Sequence, residues 1–277
     1  MAGIVRLARL RDQGRTFYAV LEEGERVREI AGDPFDGDPF AAAAGASRES
    51  RPIGGSAWLP PCRPSKIIGV GRNYRDHVAE LGHSVPEEPL LFLKPPSSLL
   101  AHGGVIRLPS DSRRVDFEGE LGVVIGREAR RVPEAGALDY VLGYACVNDV
   151  TARDLQASDV QFTRAKGFDS FCPFGPCIAI GLPPDDLVVE TFVNGTRRQS
   201  APVSRMIFDV RRLVSFVSGV MTLLPGDLIA TGTPEGVGSL EPGDQVTVSI
   251  EGIGRLSSRV EAQETRRHPV GPPTRAL

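Results

Sequence analysis

The stretch that decides the fold of this chain is Val115-Asp116-Phe117-Glu118-Gly119-Glu120-Leu121-Gly122-Val123-Val124-Ile125. Its second half is an apolar, β-branched run that predicts a strand. In its first half, the period of two along a strand places the three acids on one face and Phe117 and Leu121 on the other. Same-face carboxylates repel one another unless a cation lies between them, and their oxygens suit Mg²⁺, Mn²⁺ or Ca²⁺ better than zinc. The alternative is a solvent-exposed strand face, on which alternating acids are common.

Short β-rich runs separated by Gly and Pro turns continue on both sides of this stretch, whereas helical patterns are fewer. The predicted strands lie at residues 67–70, 140–144, 187–193, 228–230 and 245–250. The predicted helices lie at residues 74–81, 151–160 and 210–223. The sequence therefore predicts an α+β fold in which strands predominate.

The first sixty residues read as a small N-terminal module. Strand patterns at residues 4–7 and 16–21 are followed by a polar, Ala-rich stretch at 31–56. The segment Leu59-Pro-Pro-Cys-Arg-Pro-Ser65 is rich in proline, which removes backbone donors and fixes φ, so we place a domain boundary there. The expected domains are residues 1–60 and 66–264, and the tail at 265–277 has too few apolar residues to pack.

Composition favours a small-molecule partner. The chain has 277 residues, with 32 Lys and Arg against 35 Asp and Glu, and a formal net charge of -3 creates no field that would attract nucleic acid or an anionic membrane. Gly, Pro or a charge interrupts every apolar stretch, and arginines interrupt the N-terminus, so we expect a cytoplasmic protein. Four cysteines are too sparse for a disulfide framework, and Cys172 and Cys177 lack the spacing of a zinc knuckle.

Three further places carry residues suited to chemistry. Asp149 ends an apolar strand and could face a pocket, although an Asp there could also be a helix N-cap. Lys166 precedes a glycine and could reach inward to bind a carboxylate or stabilise an enolate, although such a lysine is more often exposed. His77 and Glu80 have the i, i+3 spacing that lets an acid orient an imidazole, and the pair could activate water.

Taken together, six motifs between residues 66 and 262 resemble the fumarylacetoacetate hydrolase family, and they occur in the family's order. They are Gly71-Arg-Asn-Tyr74 with His77 and Glu80, Phe92-Leu-Lys-Pro95, Asp116-Phe-Glu-Gly-Glu-Leu121, Asn148-Asp-Val-Thr-Ala-Arg-Asp154, Lys166-Gly-Phe-Asp169 and Thr231-Gly-Thr-Pro234.

The resemblance implies a mixed, sandwich-like β roll that assembles as a homodimer. It also implies Mg²⁺ or Mn²⁺ bound by Glu118, Glu120 and Asp149, with Ca²⁺ as a further possible ion. Lys166 and Gln156 would contact the oxo-acid end of the substrate, and Thr233 or its neighbours would contact its carboxylate. The same resemblance assigns Arg72 and Tyr74 to substrate binding, and His77 with Glu80 to water activation on a mobile lid.

The expected reaction is cleavage of a C–C bond in a 2,4-dioxo acid such as fumarylpyruvate, through a metal-stabilised enolate. Retention of both His77 and Glu80 favours hydrolysis. The same enolate would serve an isomerase or tautomerase of a 2-hydroxy-dienedioate in aromatic catabolism, or an oxaloacetate decarboxylase. A protein that binds metal and carboxylate without turnover is the alternative outside catalysis.

Overall fold

The computed structural model describes residues 3–24, 26–82 and 84–263, so the predicted tail at 265–277 lies outside the described residues. The strands are β1 (Val5–Asp12), β2 (Arg15–Glu22), β3 (Arg26–Ile30), β4 (Ser50–Pro52), β5 (Ala57–Leu59), β6 (Ile67–Gly71), β7 (Leu90–Lys94), β8 (Leu99–Leu100), β9 (Val105–Leu108), β10 (Val115–Phe117), β11 (Gly119–Ile125), β12 (Val141–Asn148), β13 (Thr151–Ala152), β14 (Cys172–Ile180), β15 (Val188–Val193), β16 (Thr196–Pro202), β17 (Leu228–Ala230), β18 (Gly238–Ser239), β19 (Gln245–Ile250) and β20 (Gly254–Ala262). The α-helices are α1 (Pro39–Ala44), α2 (Arg75–Glu80), α3 (Arg153–Ser158), α4 (Thr163–Lys166) and α5 (Val210–Val220).

These strands form three sheets. The largest has twelve strands in the order β4-β3-β2-β1-β14-β12-β11-β17-β6-β7, with β5 paired to β1 and β8 paired to β14. The second is β13-β10-β18 and the third is β16-β15-β19-β20-β9. The predicted α+β fold with predominant strands is confirmed. No helix in the described ranges is long and apolar enough to cross a bilayer.

Local patterns located eight of the strands and the helices α2, α3 and α5, but they missed the other strands, β14 among them. This strand lies between β1 and β12 in the largest sheet, although it contains Pro173 and Pro176, which argue against a central strand. The β12–β14 ladder shifts register where Tyr144 pairs with Ala179 and Cys146 pairs with Gly175. Pro176 falls inside that shift, so the ladder does not require the N–H that proline lacks.

The N-terminal strands are present, and they continue the sheet of the following residues. β1 pairs antiparallel with β14, with Val5 opposite Ile180 and Leu7 opposite Ile178. Leu7 and Ile178 are both fully buried in the same hydrophobic cluster. The two predicted domains therefore share one sheet and part of one core.

The acid-rich stretch is two strands in two sheets. β10 pairs with β13 and β18, whereas β11 pairs with β12 and β17, so the chain passes from one sheet to another at Glu118. Asp116 consequently diverges from the other two acids, and its carboxylate accepts hydrogen bonds from Arg114 at 2.9 Å and Arg153 at 3.0 Å. All three acids are at most 5% exposed, which excludes the solvent-exposed strand face.

Candidate metal and substrate site

Glu118, Glu120 and Asp149 form a cluster in which one oxygen from each lies within 4.8 Å of the others. The pairing of β11 with β12 produces it, because Gly119 lies opposite Asn148 and so brings Glu118 beside Asp149. The Asn148 side chain accepts a hydrogen bond from the Glu118 N–H at 2.9 Å, and the Asp149 N–H donates to the Glu118 carbonyl at 2.8 Å. Tertiary pairing thus joins two acids separated along the chain.

Neighbouring cations compensate the carboxylates of the cluster unequally. Burial alone would raise the pKa of Glu118, but Lys166 at 2.8 Å and Arg153 at 2.6 Å hold that pKa well below its usual range. Burial and the nearby Asp149 and Glu118 carboxylates instead raise the pKa of Glu120 well above its usual range. The Gly232 N–H, which donates to Glu120 at 2.8 Å, does not offset this repulsion.

One fully buried oxygen of the cluster has no hydrogen bond. Asp149 Oδ1 is buried without a hydrogen-bond partner among the described residues. Lys94 Nζ lies 2.7 Å away, which is ion-pair distance, but the approach is not aligned for a hydrogen bond, and the ammonium donates to the Lys166 carbonyl at 2.6 Å. An all-oxygen donor set with an unsatisfied oxygen and repelling carboxylates fits a hard divalent cation such as Mg²⁺ or Mn²⁺.

Lys166 ends α4 beneath the cluster and is only 2% exposed, so it is not a surface lysine. Its ammonium donates to Glu118 and Asp149 and lies 4.9 Å from the centre of the Phe92 ring. Burial alone would lower the pKa of Lys166, but these two carboxylates raise it above its ordinary value. The side chain is therefore a fixed positive charge at the cavity wall.

His77 and Glu80 are joined on α2. His77 Nδ1 lies 3.1 Å from Glu80 Oε2, and Glu80 also accepts a hydrogen bond from the Gly236 N–H at 3.1 Å. His77 is 4% exposed and lines the same cavity as the acid cluster. His77, which Glu80 contacts from the same helix, thus shares a cavity with the residues predicted to bind the metal.

The cavity has a volume of about 460 Å³. Of the residues predicted to bind substrate, Arg72, Gln156 and Thr233 line it. Tyr74 is not among the lining residues; it is 1% exposed in the main hydrophobic core, and its hydroxyl has no partner in the described part of the chain. The rest of the wall is largely apolar and includes Leu81, Leu90, Phe92 and Phe162.

The Thr233 hydroxyl already forms hydrogen bonds within the protein. It donates to the Gly119 carbonyl at 2.9 Å and accepts from the Gln199 amide at 2.8 Å. A hydroxyl has a single proton to donate, so Thr233 cannot also donate its hydroxyl proton to a substrate carboxylate in this arrangement. Any such contact from Thr233 would have to use other atoms.

Two cationic residues of the site were not singled out from the sequence. Arg153 also lines the cavity and contacts Asp116, Glu118 and, at 2.8 Å, the Gln156 side chain. Lys94 is 1% exposed behind Asp149. Both lie inside the family-like motifs, but only the fold shows that each cation neutralises an acid of the cluster.

Comparisons with known proteins agree with this architecture. The family described as Fumarylacetoacetate (FAA) hydrolase C-terminal matches residues 66–261, and the family described as Rv2993c-like, N-terminal matches residues 5–61. The mitochondrial oxaloacetate tautomerase FAHD1 of Arabidopsis thaliana is 46% identical over 203 residues, which are 71% of this chain and 91% of that protein.

Two solved structures show the same fold. A 5-carboxymethyl-2-hydroxymuconate delta-isomerase from Mycobacterium smegmatis is 44% identical, with a TM-score of 0.85 and coverage of 93% of this chain and 100% of that chain. A maleylpyruvate hydrolase from Sphingobium, solved with manganese(II) and pyruvate, is 30% identical, with a TM-score of 0.77 and coverage of 94% and 100%. This chain belongs to the fumarylacetoacetate hydrolase family.

Proposed function

We propose that this protein is a Mg²⁺- or Mn²⁺-dependent hydrolase that cleaves a C–C bond of a 2,4-dioxo acid, such as fumarylpyruvate. The observation that carries the proposal is His77, held by Glu80, lining the same cavity as Lys166 and the three-carboxylate cluster. Similarity to the maleylpyruvate hydrolase that holds manganese and pyruvate supports it.

Side chains around the cluster suit a 2-oxo acid. A divalent cation bound by Glu118, Glu120 and Asp149 would supply Lewis-acid polarisation of the substrate's keto and carboxylate oxygens. Lys166 presents a positive charge to the oxygen on which enolate charge develops. Gln156 accepts from Arg153 through Oε1, which leaves its NH₂ group to donate to the substrate. Arg72 lines the cavity and forms no ion pair with the described residues, so its guanidinium is available to a carboxylate.

Water activation follows from the His77–Glu80 geometry. In the tautomer that donates from Nδ1 to Glu80, Nε2 is a free base and takes a proton from water. The hydroxide oxygen bonds to the acyl carbonyl carbon, the adjacent C–C bond breaks, and its electron pair becomes the pyruvate enolate. The proton on His77 then goes to the enolate carbon, which yields pyruvate and a carboxylic acid and regenerates the base.

A tautomerase or isomerase is the second candidate. The relatives named as an oxaloacetate tautomerase and a delta-isomerase are 46% and 44% identical, which is closer than the maleylpyruvate hydrolase at 30%. In such a reaction Lys166 would stabilise the same enolate, but a proton would move between carbon and oxygen without addition of water.

A substrate panel tests both candidates. Fumarylpyruvate and related acylpyruvates, and enol-oxaloacetate, are assayed with Mg²⁺, with Mn²⁺ and with chelator, following pyruvate release and enol absorbance. His77→Ala should abolish acylpyruvate cleavage, whereas Asp76→Ala, an exposed change on the same helix, should leave it intact. Cleavage that survives in His77→Ala would sink the hydrolase proposal. Metal-dependent tautomerisation without any cleavage would assign the second candidate.

A further inference from the structure

Gln199 is a buried amide that no motif of the sequence includes. It lies on β16 in the five-stranded sheet and is 1% exposed. Its Oε1 accepts a hydrogen bond from the Gly119 N–H at 3.0 Å, and its NH₂ group donates to Thr233 Oγ1 and to the Pro234 carbonyl, each at 2.8 Å. Three of the four hydrogen bonds available to an amide side chain are therefore used, all on segments that frame the cavity.

The first of these segments is the backbone between Glu118 and Glu120. A Cβ atom at Gly119 would lie 1.9 Å from Thr191 Oγ1 and 3.2 Å from Gln199 Oε1, so the β15–β16 hairpin packs directly on this peptide. Rotation of the Gly119 peptide would turn both flanking carboxylates. A hydrogen bond from Gln199 to its N–H thus restrains the direction in which each acid points.

The second segment is the loop at residues 231–238. Besides receiving two hydrogen bonds from Gln199, this loop donates from the Gly232 N–H to Glu120 at 2.8 Å and from the Gly236 N–H to Glu80 at 3.1 Å. One side chain therefore joins the acid cluster to the loop, and the loop in turn holds the acid that orients His77.

We propose that Gln199 is a positioning residue, supplied by the five-stranded sheet, that sets the geometry of the cation site and of the loop at 231–238. Its hydrogen bonds all go to Gly119, Thr233 and Pro234, so it makes none to the carboxylates of the acid cluster or to His77. The inference rests on the proposed function, since the geometry matters only if the cluster binds a cation. Loss of an outer hydrogen-bonding partner typically weakens metal affinity about 10- to 100-fold.

Gln199→Met tests this, because methionine preserves the length of the side chain and removes all three hydrogen bonds. The expected result is a Mn²⁺ dissociation constant about 10- to 100-fold higher by calorimetric titration, and a raised KM for the oxo acid at saturating Mn²⁺. The matched control is Gln245→Met on β19, where the side chain is exposed, and it should bind Mn²⁺ like the wild type. A purely structural role would lower Tm without changing the affinity of the folded protein.

Gln199→Asn is the milder variant if Gln199→Met does not fold. It keeps the amide but is one carbon shorter, so it cannot reach both Gly119 and the loop, and Mn²⁺ affinity should still fall. A folded variant that binds Mn²⁺ as tightly as the wild type would overturn the inference while leaving the proposed function standing. Wild-type protein that binds no Mn²⁺ would overturn both.

Discussion

At the scale of single residues, the acid cluster depends on a position that has no side chain. Gly119 separates Glu118 from Glu120, and Thr191 on β15 occupies the space that a Cβ atom would need. Thr191 is fully buried, and its hydroxyl has no partner among the described residues. Close approach of two sheets at this point therefore requires glycine.

Gly119→Ala should destabilise the fold by about 1–3 kcal/mol, because overpacking forces the hairpin or the acid segment to move. Mn²⁺ binding should fall with it, since both neighbouring carboxylates would be displaced. Thermal unfolding and Mn²⁺ titration measure the two effects. Gly136→Ala, where no atom lies within 4 Å of the new Cβ, is the control. If Gly119→Ala bound Mn²⁺ as tightly as the wild type, the prediction would be wrong, because the two sheets could then separate without displacing the carboxylates.

The raised pKa of Glu120 predicts how cation binding depends on pH. Burial and the neighbouring Asp149 and Glu118 raise the pKa of Glu120, so the metal-free folded protein holds this proton more tightly than the unfolded chain. Considered alone, Glu120 contributes stability to the metal-free fold at pH values below the ordinary pKa of a glutamate. This contribution is lost as pH rises through the raised pKa of the folded state.

A cation must displace that proton, so Mn²⁺ affinity should rise with pH across the same window, and binding should release protons. Calorimetric titrations in two buffers with different ionisation enthalpies measure the release. Binding with equal heats in both buffers would show that Glu120 is already ionised.

At the scale of elements, helix α2 is anchored through the loop at 231–238. Glu80 accepts a hydrogen bond from the Gly236 N–H, and Gly236 adopts a positive φ of 92° beside the Arg198 carbonyl. A Cβ atom there would lie 2.2 Å from that carbonyl oxygen. The conformation of this one loop residue therefore affects the position of the His77–Glu80 pair.

Gly236→Ala should lower kcat for acylpyruvate cleavage roughly 10- to 100-fold, because a displaced loop no longer holds Glu80 in place. Steady-state kinetics at saturating Mn²⁺ would detect the loss. Gly219→Ala is the matched control, since it lies on α5 with open space around its Cβ and should stabilise that helix by up to about 1 kcal/mol. Equal kcat in the two variants would mean that the loop does not support the dyad.

At the scale of the whole molecule, the N-terminal strands are integral to the largest sheet. β1 covers the edge of β14, and Leu7 and Leu10 of β1 are fully buried. The predicted boundary near residue 60 is therefore crossed by strand pairing and by the core. Assembly as a homodimer, which the family resemblance implies, stays a prediction.

Deletion of residues 1–61 should leave a chain that aggregates or unfolds at a markedly lower temperature than the full protein. The physical reason is that it exposes the paired edge of β14 and the apolar partners of Leu7 and Leu10. Size-exclusion chromatography and thermal unfolding test this. A monodisperse truncated protein with an unchanged Tm would instead support two independently stable domains.

Much of the fold and part of the candidate site were predictable from local patterns. Strands β6, β11, β15, β17 and β19 and helices α2, α3 and α5 follow from periodicity and turn residues, because alternation and helical spacing act within a few positions. Family-like motifs predicted that Glu118, Glu120 and Asp149 share a site, and the structure places them together. Their binding of a metal stays a prediction.

Tertiary structure alone decided which segments meet. The change of sheet at Glu118 separates Asp116 from the cluster, although an unbroken strand would keep them on one face. Gln199 reaches Gly119 from 80 positions away along the chain, and β1 joins β14 across more than twice that separation, with Val5 opposite Ile180. Periodicity determines only where a side chain points within its own element. Contact between distant elements depends on sheet register and on burial of the whole core.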